Sequence, residues 1–498
     1  MNAVEARYVP STFSDFLGNP FIQALTDHLA WRNTSLIEAL EQSDFSKLVP
    51  TASRGQRDLW LDSLPRNLFI ALPQHLRLQR LVDICIRSGY VRSVQLHKQA
   101  EALRGIQEAY TRMQLTRSKE IVRFNEVKHV DRSLPVIALS ALSGMGAGSS
   151  IDRILRLYPQ VIRHSSLPHG EVLQLVYLKV SCRKKGSIND LCADILSALD
   201  ACLDENHQAH PGTEDSNVNE LTGQVAALLR SCRLGILVIE DVQNLLSRRN
   251  GRAELLTFLT GLSRKCCMPV LLSGSLVLSS FVERELASCG HVSVADTLLW
   301  QPLPRGSEQW EFLLSRLWRC NVLKDSPVII PQEINDALYA YSQGVIDLLV
   351  QLFVLSQKAA LLRTQQTGGL ELLTRDDLKC VYEEAFARVQ PWLAALRAAD
   401  PRALSRSPDL GALHQDCAAF AGRCSTRLYQ AVQRERPYFL EGERALAALR
   451  YLHLSCSAEH QPLPPEAAAK LRHYSKAHPD VDLGELIAWG VKALQQAH

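Results

Sequence analysis

Over residues 1–130 the apolar positions recur at helical spacing. Leu36, Leu40, Leu59, Leu64, Leu68, Leu72, Leu76 and Leu78 are interrupted by Pro65 and Pro73. No sheet pattern shows there, and the spacing predicts a helical region that ends in a basic stretch, residues 112–123. The period then changes. Residues 135–139 form a short apolar run entering a glycine-rich turn over 143–150, followed by an amphipathic segment from Ile151. Further strands are predicted over 173–180, 234–239 and 270–275, with a helix over 188–203 and a polar loop over 207–219. Strands alternating with helices predict an α/β core, a parallel sheet with helices on both faces. After Trp300 the pattern is helical again over 310–318, 332–341, 345–362 and 375–387. Residues 400–408 read as a linker, and 413–435, 442–454, 465–476 and 483–497 as a helical tail. The resulting division is a helical extension (1–130), an α/β core (131–300), a helical lid (301–398) and a helical C-terminal region (399–498).

Composition narrows the partners without naming one. The chain has 498 residues, 46% hydrophobic and 21% charged, which excludes collagen-like and wholly disordered chains. Lys plus Arg number 55 against 52 for Asp plus Glu, a formal charge of +3, so nucleic-acid contact rests on local basic patches. Aromatics at 6% argue against an extended base-stacking platform. The first residues lack the apolar core of a signal peptide, and the longest apolar window carries Asp347 and Lys358, so no membrane span is expected. The thirteen cysteines form no CxxC pair and read as small buried hydrophobes of a reducing, cytoplasmic protein. No histidine has metal-ligand spacing, and His164 and His169 read as surface residues.

A strand, a glycine-rich turn and a helix is the setting of a P-loop, in which main-chain N–H groups cradle phosphates at a helix N-terminus. The cofactor-site candidates are Ser143, Gly144, Met145, Gly146, Ala147, Gly148 and Ser149. With Gly146 as the second motif glycine, Ala147 stands at the lysine position and Gly148 at the magnesium-binding hydroxyl position. The strand over 236–239 ends in Glu240 and Asp241, the reverse of the usual Asp-Glu order of a Walker B strand. The plainer alternatives are a tight turn that binds nothing and a solvated strand end, with Gln243 and Asn244 capping the next helix. Basic candidates for phosphate-backbone contact are Arg183, Lys184 and Lys185, then Arg248, Arg249 and Arg252, with Arg264 and Lys265 besides.

Several ordered stretches together resemble the TnsC family, the AAA+ regulators of transposition. They are residues 18–25, Arg57 with 88–92, 143–146 with 151–155 and 158–162, 234–246, 270–275, 310–318 and 342–347. The likeness covers roughly residues 15–395, and the last hundred residues match nothing in it. It implies an AAA+ fold with an N-terminal extension and a lid. It also implies a role linking a TniQ- or TnsD-type target selector to TnsA- and TnsB-like transposase subunits on duplex DNA. Family members use ATP and magnesium to assemble into rings or filaments, so a homo-oligomer, or a co-oligomer with an intact TnsC, is implied. Where the family has an arginine pair after the fourth strand, residues 281–286 offer only Arg284 as a finger. Three altered parts of one site point to a scaffold without ATP hydrolysis and to no confident catalytic residue. The rival expectations are a working ATP-driven regulator and a repurposed interaction module.

Overall fold

A computed structural model describes residues 3–9, 18–26, 28, 31–41, 52–116, 134–165, 171–203, 218–265, 268–289, 292–398, 410–435, 448, 465–478, 481 and 483–495. The chain forms two compact units, residues 1–361 with 370–422 and residues 362–369 with 423–498. The expected linker over 400–408 and most of the expected helix over 442–454 lie outside the described residues.

The first unit is built on five strands: β2 (Leu134–Ala141), β5 (Tyr177–Ser181), β6 (Ile236–Glu240), β7 (Val270–Gly274) and β8 (Val292–Trp300). Their order is β5-β6-β7-β2-β8, all parallel. Consecutive residues Val136, Ile137, Ala138 and Leu139 are all fully buried, so both faces of β2 are covered, as a parallel sheet requires. The covering helices include α5 (Ala147–Leu155), α6 (Ile188–Leu203), α7 (Val218–Ser231) and α9 (Gly251–Lys265), with the short α8 (Gln243–Leu246) and α10 (Val277–Phe281) at the strand ends. The register pairs Ser181 with Glu240, Ser140 with Gly274 and Ala141 with Trp300, which brings the carboxyl ends level. Strand order reverses beside β2, and such a switch point is where open α/β sheets bind ligands.

Two expectations are corrected. The N-terminal region is not purely helical, because β1 (Val4–Glu5) joins β3 (Val161–His164) and β4 (Val172–Leu175) in a second sheet, order β1-β3-β4. The apolar run 173–180 is also not one strand. It divides at Val176, its first part antiparallel to β3 and its second, β5, parallel to β6. His164 is likewise no surface residue. It is fully buried, its ring bonded to the Tyr8 hydroxyl (2.8 Å) and to Gln174 Oε1 (2.7 Å), and burial lowers its pKa. His169 lies outside the described residues.

N-terminal helices α1 (Pro20–Gln23), α2 (Asn33–Glu41), α3 (Arg54–Asn67) and α4 (Pro73–Thr116) precede the sheet. Ser53 and Gln56 cap α3 reciprocally, and Pro73 opens α4, the one position where its missing N–H costs nothing. After Trp300 come α11 (Glu308–Trp318), α12 (Gln332–Ser342), α13 (Ile346–Thr367), α14 (Arg375–Glu384), α15 (Gln390–Arg397) and α16 (Leu410–Glu435). Buried ions fasten α3 to this part. Arg57, with no exposed surface, holds Glu371 through both nitrogens (2.6 and 3.2 Å) and the Val322 carbonyl at 2.7 Å. Lys358, equally buried, reaches Asp58 at 2.5 Å and Asp62 at 3.0 Å.

In the second unit the helices Pro465–Ala477 and Leu483–Gln495 pack around Ala448, Leu471 and Leu486, with Tyr474 stacked on Trp489 at 4.3 Å.

Candidate functional site

The loop after β2 has the main-chain form of a phosphate cradle. Gly144 and Gly146 both take left-handed backbone (φ 84° and 79°), the region that favours glycine. Gly146 is the N-cap of α5 and offers no side chain, so the first N–H groups of the helix keep no side-chain partner at that position. A Cβ on Gly144 would also sit 2.7 Å from Val345 Cγ1. The loop is thus held close against the N-terminus of α13, and the Asp347 amide donates to the Gly144 carbonyl at 2.9 Å. Ser143 is half-buried, Met145 is buried, and Gly148 and Ser149 are exposed on the first turn of α5.

Around this loop lies a cavity of about 530 Å³. Its lining includes residues 141–150, Glu240, Asp241, Gln243, Asp347, His75 and His414. Arginine and lysine are absent from the lining among the described residues. His75 does not supply a charge, because its Nδ1 accepts the Leu72 N–H (2.9 Å) and burial lowers its pKa to about 4.

Both strand-end carboxylates are already engaged. Glu240 Oε2 is 3.0 Å from Lys179 Nζ, and the same ammonium holds Asp152 of α5 at 2.5 Å. Burial works to lower the Lys179 pKa and the two carboxylates outweigh it, so its pKa lies above the ordinary lysine value. The other oxygen, Glu240 Oε1, is buried with no hydrogen-bond partner, and a Cβ added to Gly148 would stand 3.4 Å from it. A hydroxyl at 148 would face that oxygen; glycine leaves it unsatisfied. Asp241 has left-handed backbone (φ 55°) and accepts from Gln243 Nε2 at 3.0 Å. Gln243 Oε1 in turn accepts the Ser275 N–H at 3.1 Å, and Asn244 Nδ2 donates to the Cys182 carbonyl at 2.8 Å. The expectation that these two cap the following helix is therefore corrected: α8 is capped by no side chain, and both residues tie strand ends together instead.

The basic candidates separate into two groups. Lys184, Lys185 and Arg249 are exposed and make no salt bridge among the described residues, Lys185 with left-handed backbone (φ 62°). Arg248 donates to the Gly186 carbonyl (3.2 Å) and lies 3.4 Å from Glu254, which brings the loop after β5 beside the loop after α8. Arg183 is paired with Asp194, and Arg252 is bound to Glu285 at 2.7 Å and to Ser280 at 3.2 Å. Arg284 is exposed on a π-helical turn, Val282–Leu286. The side chains of Arg264 and Lys265 lie outside the described residues.

Sequence reasoning missed Lys179, Asp152, Asp347 and His414. A lysine inside an apolar strand, two residues before Ser181 on the face that adjoins the end of β6, was a legible signal for Lys179. His414 had none, because only the fold brings α16 to the cavity.

Residues 131–280 match the family model described as an AAA domain. No curated protein matches the chain. Among solved structures it is similar to a Walker-type ATPase of Pyrococcus abyssi, with 15% identity over 54% of this chain and 72% of that one and a TM-score of 0.34. It is also similar to the Aeropyrum pernix ORC1 protein in complex with DNA (17% identity, 61% and 67%, TM-score 0.35) and to Drosophila ORC bound to DNA (14%, 61% and 75%, TM-score 0.31). The match over residues 131–280, the parallel sheet order and the phosphate-type loop at the end of β2 together give this part of the chain the AAA+ P-loop fold.

Proposed function

We propose that the chain is a TnsC-like scaffold of transposition that binds duplex DNA and links a target selector to the transposase without hydrolysing ATP. The observation that carries the non-hydrolytic part is the fate of Glu240. It is paired to Lys179, it faces a glycine where a metal-binding hydroxyl would stand, and Asp241 beside it is turned to Gln243. Removing the phosphate-neutralising lysine, a metal ligand and the water-positioning acid together costs many orders of magnitude in rate. Any nucleotide held by the loop is then a static ligand. The resemblance of the segments over residues 15–395 to the TnsC pattern supports the transposition role, with TnsA/TnsB-like subunits and a TniQ/TnsD-like selector as partners. It also supports the division into extension, core and lid. Arg284, exposed on its π-helical turn, would meet a neighbouring subunit in a homo-oligomer or a co-oligomer with an intact TnsC. None of the described helices is long and apolar enough to cross a membrane.

DNA contact is assigned to Lys184, Lys185 and Arg249, with Arg248 holding the two loops together. Phosphate contacts of this kind carry no sequence information and weaken steeply with salt. The test is duplex binding across a salt series with and without ATP. Affinity is expected to be indifferent to ATP. The triple variant Lys184→Ala, Lys185→Ala, Arg249→Ala is expected to bind all sequences equally more weakly, with a salt slope lower by up to about 3. No duplex binding at low salt, or an unchanged triple variant, would remove the DNA scaffold and leave a repurposed interaction module.

A further inference from the structure

The cavity around the P-loop poses an electrostatic problem that its own loop does not solve. Its lining carries the carboxylates of Glu240, Asp241 and Asp347, and Ala147 supplies no cation. Main-chain N–H dipoles at the start of α5 attract an anion, but three acids work against them. Of the two histidines in the lining, His75 is neutral for the reasons given above. The remaining lining side chain able to carry positive charge at neutral pH is His414, which comes from α16, the helix that begins beyond the TnsC-like stretch.

His414 is placed for this by two contacts. Its Nε2 lies 2.8 Å from Asp347 Oδ2, and Asp347 is the residue whose amide is bonded to the Gly144 carbonyl. One turn earlier on α16, Leu410 Cδ1 would stand 3.7 Å from a Cβ on Gly144, so α16 packs directly beside the phosphate loop. The imidazole is half exposed and has a second ring nitrogen not used by Asp347. We propose that His414 is the anion-binding side chain of this pocket, giving a phosphate-bearing ligand the positive charge that the P-loop lacks. This rests on the pocket being a phosphate site.

The groups that surround the imidazole set the sign of the effect. Asp347 on α13 faces it directly. On α16 itself Asp416 is paired with Arg388 at 2.9 Å, and Cys417 is a thiol pushed up to about 12 by burial and by Asp347 and Asp416, hence neutral. The P-loop contributes no titratable side chain over residues 141–150. Glu240, held by Lys179 at the end of β6, and Asp241 just after it line the same cavity, and neutral His75 lines it from α4. The hydrogen bond to Asp347 raises the His414 pKa above its ordinary value. Protonation turns the Asp347–His414 pair from −1 to neutral, so an anion binds better below the His414 pKa and worse above it. One linked proton allows at most about tenfold in affinity per pH unit.

The probe is ADP without magnesium, its binding to the full chain measured calorimetrically from about pH 6 to about pH 8. The comparison is with His414→Gln, in which the amide still donates to Asp347 but does not titrate. ADP's own ionisation is common to both proteins and cancels in the difference. The expected result is that wild type loses affinity with rising pH by up to about tenfold more than His414→Gln over that range. In Asp347→Asn the loss is expected to begin at lower pH, because the bond that raises the His414 pKa is weakened. Thermal melts in the same buffers verify that each variant is folded. Equal pH profiles in wild type and His414→Gln would overturn the role of His414 while leaving the phosphate pocket standing. Absence of ADP binding at every pH would overturn the phosphate pocket itself, and His414 with it.

Discussion

Two collections of charge in the first unit behave in opposite ways. Under α3, Arg57 and Lys358 are wholly enclosed and each is matched by carboxylates at hydrogen-bond distance. At the end of β2 and β6, the charges line an open cavity and are matched in part by each other, with one oxygen of Glu240 left unbonded. The buried set cannot lose a member without leaving an ion stranded in a low-dielectric interior. The cavity set is less constrained, since Asp241 and His414 are exposed to solvent. Each set leaves one buried polar atom unbonded, Arg57 Nε under α3 and Glu240 Oε1 at the cavity, so the difference lies in enclosure: the buried ions are paired away from solvent, and the strand-end acids border an open cavity.

Breaking the buried set should have the largest effect. Glu371→Ala strands Arg57 and is expected to cost about 3–5 kcal/mol of stability in denaturant titration. A loss well under 1 kcal/mol would mean the pair is dispensable. The same carboxylate predicts an acid response. Burial works to raise the Glu371 pKa, but the bonds from Arg57 and Arg54 overcome it and hold it at about 2 rather than 4.5. A carboxylate with a depressed folded-state pKa adds stability that is present above the unfolded value and is lost as pH falls toward the folded one. Wild type is therefore expected to lose stability between about pH 4.5 and about pH 2, and Glu371→Gln to be flatter across that window.

Repairing the cavity set should have a middling effect. Ala147→Lys with Gly148→Thr restores a cation and a hydroxyl, each charge-assisted contact being worth about 1.5–3 kcal/mol. Magnesium-ATP binding is expected to tighten at least tenfold, with hydrolysis still at the buffer blank because Asp241 is turned to Gln243. Turnover near wild-type AAA+ rates in that variant, or any clear turnover in the unaltered chain, would contradict the scaffold. The smallest expected effect is Gly148→Ser alone. Its hydroxyl would donate to Glu240 Oε1, and serine is the better helix residue, so thermal unfolding should report a gain of about 1 kcal/mol.

The buried strands β2, β6 and β7 were legible because each is a short apolar run bounded by turn residues, and the glycines of the loop were legible because left-handed backbone needs them. The edge strand β8 was not predicted, since its middle reads Ala295-Asp296-Thr297, a mixed pattern suited to a strand with one neighbour. The run through Val176 misled for another reason. Hydrophobicity says that a segment is enclosed but not which strand takes its hydrogen bonds, and here they change partner within two residues. At the site, residue types disclosed the missing lysine and hydroxyl directly. They did not disclose that Arg252 is consumed by Glu285, or that Lys179 answers Glu240, because those pairs are 33 and 61 positions apart.

Gly144 has a mechanical consequence. Loop and α13 meet there main chain to side chain, with no room for even a methyl group between them, and a hydrogen bond at 2.9 Å crosses the joint. A hinge needs slack, and this contact has none. In a motor such a joint would carry a stroke from the phosphates outward. Under the scaffold proposed above, the same joint would instead fix the start of α13 rigidly to the end of β2.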